Sequence, residues 1–217
     1  MTRRTALLAG ASGLVGGHVL ELLLSDPAYE RVHTLVRRPR LSPNKKLSEH
    51  LVDFEKLDLS AIRVDDVYAC LGTTIKVAGS QENFRRVDHD YTVLVARLAR
   101  GQGARRLALV SSVGASPKAS NFYLRVKGDT EENVGALGYE TLAVARPSFL
   151  VGERSQKRPG EKIGIAVAGA LSFAMVGGLR RYRPIEARSV AAAMIAALKA
   201  GDAGVRVIEY DAMFRSS

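Results

Sequence analysis

Short apolar runs alternate with stretches of helical period along nearly the whole chain. Strand-length runs fall at residues 5–9, 32–36, 50–54, 67–71, 107–111, 141–145 and 205–210, and helical stretches at 18–25, 81–101, 120–136 and 189–199. The strand runs are apolar almost throughout, the pattern of strands covered on both faces. Strands separated by helices return in the same direction, so the expected fold is α/β with a doubly wound parallel sheet. In such a sheet ligands bind beyond the carboxyl ends of the strands, and chemistry is sought there.

The first strand run breaks on Ala9-Gly10-Ala11-Ser12-Gly13-Leu14-Val15-Gly16. A strand that turns through spaced glycines into a helix presents free backbone N–H groups and the positive helix end to an anion. Gly10 permits the tight turn, Gly13 lets a pyrophosphate approach the main chain, and Gly16 lets the helix pack on the strand. The turn, with Ser12, Leu14 and Val15, is expected to hold a dinucleotide on a Rossmann fold. The other reading of such a turn is a turn and nothing more.

With 217 residues and 47% hydrophobic content, the chain is expected to form one domain over 1–217, without a linker. Residues 153–184, poor in motifs, are expected to cover the substrate. The uncharged stretch 163–179 is read as helix and loop over the cleft rather than a membrane span, being short and glycine-rich, with interfacial membrane contact as the lesser alternative. The balance of 32 Lys+Arg against 22 Asp+Glu leaves a net charge of +10. That charge is dispersed in pairs such as Arg105-Arg106, so no nucleic-acid partner is expected. One cysteine, Cys70, excludes an internal disulfide, and the apolar stretch after Arg3-Arg4 is too short for a signal peptide. A cytoplasmic protein is expected. His18, His33, His50 and His89 lack metal-ligand spacing, and no metal is expected.

After the second run comes Val36-Arg37-Arg38, where an NAD site usually places an acid on the ribose. Two guanidiniums can clamp a 2′-phosphate instead, favouring NADP(H) over NAD(H); the alternative is a pair of solvated loop charges. Asp53-Phe54 can meet the adenine, and Leu71-Gly72-Thr73-Thr74 can approach the cofactor closely, although Gly and Thr also end ordinary strands. Ser111-Ser112 ends the fifth run, and Tyr123 and Lys127 follow four apart, so both can point into one site from one helix face. A phenol titrates near about pH 10, and a neighbouring ammonium favours its ionised form. Tyr123 can then exchange a proton while a serine hydroxyl holds a substrate oxygen.

With these residues the chain resembles the short-chain dehydrogenase/reductase superfamily over nearly its whole length. Gly10, Gly13, Gly16 and Gly72 match its nucleotide motifs, and Ser112, Tyr123 and Lys127 its catalytic set. Arg146-Pro147-Ser148 matches the turn placed against the nicotinamide. The strings Cys-Leu-Gly-Thr-Thr, Val-Asp-His-Asp-Tyr and Asn-Phe-Tyr-Leu-Arg-Val-Lys-Gly resemble the atypical branch, with its NAD(P)-binding epimerase-like proteins and the Tat-interacting-protein oxidoreductase. The resemblance implies cofactor contacts from Ser111, Tyr123, Lys127, Pro147 and Ser148 as well. Asp88 departs from it, standing where the superfamily has an asparagine of the proton relay. Ser112 precedes Tyr123 by 11 residues, closer than usual, so Ser111 is an alternative. The region after Gly152 is short for a sugar-nucleotide epimerase, which favours a small carbonyl or alcohol substrate.

The expected function is NADP(H)-dependent hydride transfer with Tyr123 as general acid/base, Ser112 orienting the substrate and Lys127 tuning Tyr123. An NADP(H)-binding regulatory protein with little turnover is the alternative, and isomerisation through transient oxidation a third. The resemblance also makes the helices carrying Tyr91 and Tyr123 candidates for a homodimer interface, the alternative being that their apolar stripes pack within one core.

Overall fold

The computed structural model describes residues 3–38, 43–152 and 176–215. Its strands are β1 (Arg4–Ala9), β2 (Tyr29–Val36), β3 (Leu47–Leu51), β4 (Asp66–Ala69), β5 (Arg106–Val110), β6 (Thr141–Ala145), β7 (Leu150–Val151), β8 (Ile185–Glu186) and β9 (Gly204–Ile208). Its helices are α1 (Leu14–Ser25), α2 (Ile75–Ala78), α3 (Gln81–Arg85), α4 (Tyr91–Gly101), α5 (Phe122–Gly135), α6 (Ala187–Ala200) and α7 (Tyr210–Phe214). Seven strands form one sheet in the order β3-β2-β1-β4-β5-β6-β9, every pair parallel, while β7 and β8 pair separately.

The pleat of β1 explains the two layers. Ala6 and Leu8 face the cluster built with Val15, Val19 and Leu23 of α1 and Val190, Met194 and Leu198 of α6. Leu7 and Ala9 face the opposite cluster, with Val95, Ala96 and Ala99 of α4 and Val134 of α5. Alternate residues point to opposite faces, so an unbroken apolar run serves both cores. Strand order reverses at β1, between β2 and β4, which opens the crevice above the glycine turn. At the other ends of the strands Asp66 is fully buried and accepts from Arg106 Nε at 2.5 Å and Tyr29 Oη at 2.6 Å, with Arg4 3.4 Å away.

Several boundaries differ from expectation. The third strand is Leu47–Leu51 rather than 50–54, because the Asp53 carboxylate accepts from the Glu55 amide at 3.0 Å and turns Phe54–Lys56 into a 3₁₀ helix. This edge strand carries Ser48, Glu49 and His50, so its apolar pattern is faint. The last run ends at Ile208, and Tyr210 opens a helix instead. The helical stretch 81–101 is interrupted by a π turn, Arg86–Asp90. Of the expected covering segment, 153–175 lie outside the described residues, as does most of the 163–179 stretch, and Gly177–Tyr182 forms a 3₁₀ helix. No described helix is long and apolar enough to cross a membrane.

Candidate active site

The glycine turn is a cradle with no room for side chains. Gly10 has φ +94°, and a Cβ there would lie 2.3 Å from the Cys70 carbonyl oxygen; at Gly16 it would lie 2.1 Å from the Gly10 oxygen. Gly13 precedes α1 with no side-chain cap, and no acid occupies the first turn, so the first N–H groups of α1 face the crevice uncapped by side chains. These features fit the pyrophosphate of a nicotinamide dinucleotide, whose negative charge needs bare main chain at a helix start.

The crevice has a volume of about 680 Å³ and unites residues that the sequence singled out separately. Gly10, Ser12 and Gly13 line its base, Arg37 and Arg38 its lip, and Phe54, Leu71 and Gly72 its walls. Val87 and Tyr91 also line it, and neither was expected there. The Tyr91 ring stacks on Phe54 with centroids 5.0 Å apart, and its hydroxyl donates to Glu55 at 2.5 Å. This contact joins segments distant in the chain and left no signal in the local sequence.

Other expected nucleotide contacts are placed differently. Leu14, Val15 and Gly16 begin α1, Val15 in the core and Gly16 packed on the turn. Asp53 caps the 3₁₀ helix. The Thr74 hydroxyl caps α2, accepting from the Val77 amide at 3.2 Å. Ser111 donates its hydroxyl to Glu131, which Arg146 holds with two bonds of 2.9 and 2.5 Å. Glu131 keeps the Arg146 guanidinium above its ordinary value against the opposing effect of burial. The Pro147 carbonyl accepts from the Val113 amide at 2.9 Å, and Ser148 donates to the Arg183 carbonyl.

Tyr123 and Lys127 lie on successive turns of α5, and Lys127 reaches Asp88, whose carboxylate stands behind Gly72. Ser112 is buried just past the end of β5, and among the described residues its hydroxyl makes a long 3.4 Å contact to the Val113 carbonyl. Tyr123 is half-buried, its ring tilted against Phe84 with centroids 5.6 Å apart. Lys127, one turn on, is buried with its ammonium 2.7 Å from Asp88 Oδ1. Asp88 Oδ2 accepts from the Thr73 amide at 2.8 Å. Burial disfavours the Lys127 charge, yet Asp88, Tyr123 and Glu131 outweigh it and hold the lysine above its ordinary value. Burial pushes the neighbouring Cys70 thiol up to about 12 against the opposing charge of Lys127, so it stays protonated. Gly128 lets the turn at Ser116-Pro117 lie on α5, since a Cβ there would sit 2.1 Å from the Ser116 carbonyl carbon. The glycine directly after Lys127 was the available sign of this contact.

Comparison with known proteins agrees with this geometry. The model of the NAD dependent epimerase/dehydratase family matches residues 6–211. Protein fmp52, mitochondrial, of Emericella nidulans is 38% identical over 173 residues, spanning 76% of this chain and 74% of its own. Protein HTATIP2 of Rattus norvegicus is 36% identical over 185 residues, spanning 82% and 76%. Among solved structures, the Bordetella bronchiseptica enzyme WbmH in complex with NAD+ superposes with a TM-score of 0.71 at 16% identity, covering 96% of this chain and 76% of that one. At that identity the likeness speaks for the fold.

The relatives overturn one expectation. The fmp52 proteins of Emericella nidulans, Aspergillus clavatus and Aspergillus fumigatus are all named mitochondrial, so the cytoplasmic assignment is withdrawn. A lone buried thiol and a dispersed positive charge suit any reducing interior and do not separate one compartment from another. Matched family model, relatives above 30% identity and a parallel sheet switching order over a bare glycine cradle lead to one assignment: the chain belongs to the NAD dependent epimerase/dehydratase family, among the atypical short-chain dehydrogenase/reductases with an NAD(P)-binding, oxidoreductase-type fold.

Proposed function

We propose that the protein is an NADP(H)-dependent oxidoreductase acting on a small carbonyl or alcohol, with Tyr123 as its general acid/base. The observation that carries this reading is the placement of Tyr123 and Lys127 on successive turns of α5, joined through Asp88 to the Thr73 amide beside the nucleotide crevice. Proton-handling groups thus adjoin the place where a dinucleotide fits. Arg37 and Arg38 at the lip, with no acid directly after β2, support NADP(H) over NAD(H). When bound, the nicotinamide supplies or takes the hydride.

The chain's own groups do the rest. Tyr123 gives its phenolic proton to the carbonyl oxygen during reduction and takes one from the alcohol during oxidation. The Lys127 ammonium faces Tyr123 and stabilises the negative charge left on its oxygen. Ser112, whose hydroxyl makes only a long contact among the described residues, orients the substrate oxygen. Ser111, held by Glu131, is the weaker candidate for that role. The segment 153–184 is proposed to cover the substrate.

The test is NADPH oxidation at 340 nm by purified protein with a panel of aldehydes, ketones and quinones. Tyr123→Phe is expected to lower kcat/KM by about 10²–10⁴-fold while NADPH affinity changes little. Undiminished turnover in that variant refutes the role of Tyr123. Asp88 favours a second reading, an NADP(H)-binding regulator with little turnover, because its carboxylate shares the Lys127 charge that would otherwise act on Tyr123 alone. Tight NADPH binding with no consumption across the panel would select that reading.

A further inference from the structure

Asp88 occupies an unusual place on the backbone. It sits in the π turn Arg86–Asp90 between α3 and α4, with 2% of its surface exposed. Such turns insert one residue into a helix and are frequent at functional sites. Both carboxylate oxygens are engaged by different parts of the fold, Oδ1 by Lys127 at 2.7 Å and Oδ2 by the Thr73 amide at 2.8 Å. Its main-chain carbonyl accepts from Thr130 Oγ1 of α5 at 3.3 Å. A Cβ on Gly72 would come within 3.6 Å of Oδ1, so the carboxylate stands directly behind the crevice wall.

We propose that Asp88 is a positioning residue for the reaction: oriented by the Thr73 amide, its carboxylate holds Lys127 in place as an ammonium beside Tyr123. The proposal rests on the oxidoreductase reading above, whose proton transfer it serves. A neutral asparagine of the same shape could accept from the Thr73 amide but would bring no charge to Lys127. A purely architectural ion pair would need no such link between crevice wall and reacting helix.

The charges around Lys127 determine the sign of the effect. Among the described residues, the titratable groups facing it are Asp88 from the π turn, Tyr123 and Glu131 from its own helix, and Cys70 from the end of β4. Glu131 is held by Arg146 and Ser111, and Cys70 is a neutral thiol. Among these described groups Asp88 is therefore the anion not already balanced by an arginine. Removing it leaves a buried ammonium poorly compensated, which favours loss of its proton. The reading above needs Lys127 as an ammonium beside Tyr123, so earlier loss of that charge moves the alkaline limit of activity to lower pH.

The experiment follows the side-chain resonance of Lys127 in protein carrying ¹³C-labelled lysine, assigned with Lys127→Arg, and the pH profile of kcat/KM with the best substrate of the panel. Asp88→Asn is expected to lower the Lys127 titration midpoint by at least about one pH unit, a tenfold change in proton affinity, and to move the alkaline limb of kcat/KM the same way. Asp88→Glu, which keeps the charge, is expected to hold the midpoint within about 0.3 unit and carries the test should the asparagine variant not fold. A midpoint unmoved in Asp88→Asn, or lowered by a full unit in Asp88→Glu, overturns the proposal. A lowered midpoint in a protein that oxidises NADPH with no member of the panel refutes the oxidoreductase reading while supporting the Asp88–Lys127 pairing, so the two failures are distinguishable.

Discussion

Replacing Gly128 by alanine should destabilise this protein although alanine is the better helix former. A Cβ at 128 would stand 2.1 Å from the Ser116 carbonyl carbon, 2.3 Å from the Pro117 nitrogen and 2.5 Å from Ser116 Cα. Carbon atoms rest at about 3.5–4.0 Å, so helix and turn must separate by more than an ångström. The turn resists that movement: the Ser116 amide donates to the Leu124 carbonyl at 3.2 Å, and Arg125 donates to the Ala119 carbonyl at 2.8 Å. Overpacking of this kind costs about 1–3 kcal/mol, and more where backbone must shift; helix propensity returns up to about 1 kcal/mol. A net loss of about 2 kcal/mol corresponds in a chain of this length to a fall in Tm of roughly 4–8 °C. Gly135, in the last turn of the same helix, is the control, because nothing lies within 4 Å of its missing Cβ. Gly135→Ala should therefore stabilise by up to about 1 kcal/mol. Urea unfolding of both variants beside the parent checks the pair of signs. A Gly128→Ala protein as stable as the parent would refute the close packing of the 116–117 turn on α5.

Other consequences are as direct. Changing Arg37 and Arg38 together to glutamate should weaken NADPH binding ten- to a hundredfold, taking about 1.5–3 kcal/mol for a lost charge-assisted bond, with NADH little affected; fluorescence titration showing equal loss of both would remove the 2′-phosphate role. Asp66→Ala should cost about 3–5 kcal/mol, because Arg4, Arg106 and Tyr29 lose a shared buried acceptor, and a cost below about 1 kcal/mol in denaturant titration would contradict that network. His33 and His50 lie 2.8 Å apart, nitrogen to nitrogen. Burial holds both below the ordinary imidazole value, with the charges of His50 and Arg31 adding at His33. The unfolded chain then takes up protons first, so stability is full above about pH 6.5 and falls as pH drops below it. His33→Gln should flatten that decline between pH 7 and 5 in urea midpoints, and an unchanged slope would count against the pair.

Much of the site was local and so could be read in order along the chain. A bare turn needs glycine at fixed spacing, and Gly10, Gly13 and Gly16 announce it whatever lies around them. Two side chains four apart on a helix share a face, which places Tyr123 beside Lys127 without knowledge of the fold. The two-sided apolar runs likewise indicate buried parallel strands. The exceptions have a common origin. Strand β3 is half-polar because it lies at the sheet edge, and Phe54 left its expected strand because Asp53 made a cap.

Sequence by itself determined the α/β alternation, the nucleotide turn and the helical spacing of the reacting pair, since each follows from interactions within a few residues. Only the tertiary structure decided which polar groups are partners. Asp88 meets Lys127 and Thr73, Glu131 takes Ser111, and Tyr91 stacks on Phe54 in the lining of the crevice. Such pairings join segments far apart in the chain, and their strength depends on burial and on the direction from which each group arrives. Neither quantity exists until the sheet and its two helical layers have formed.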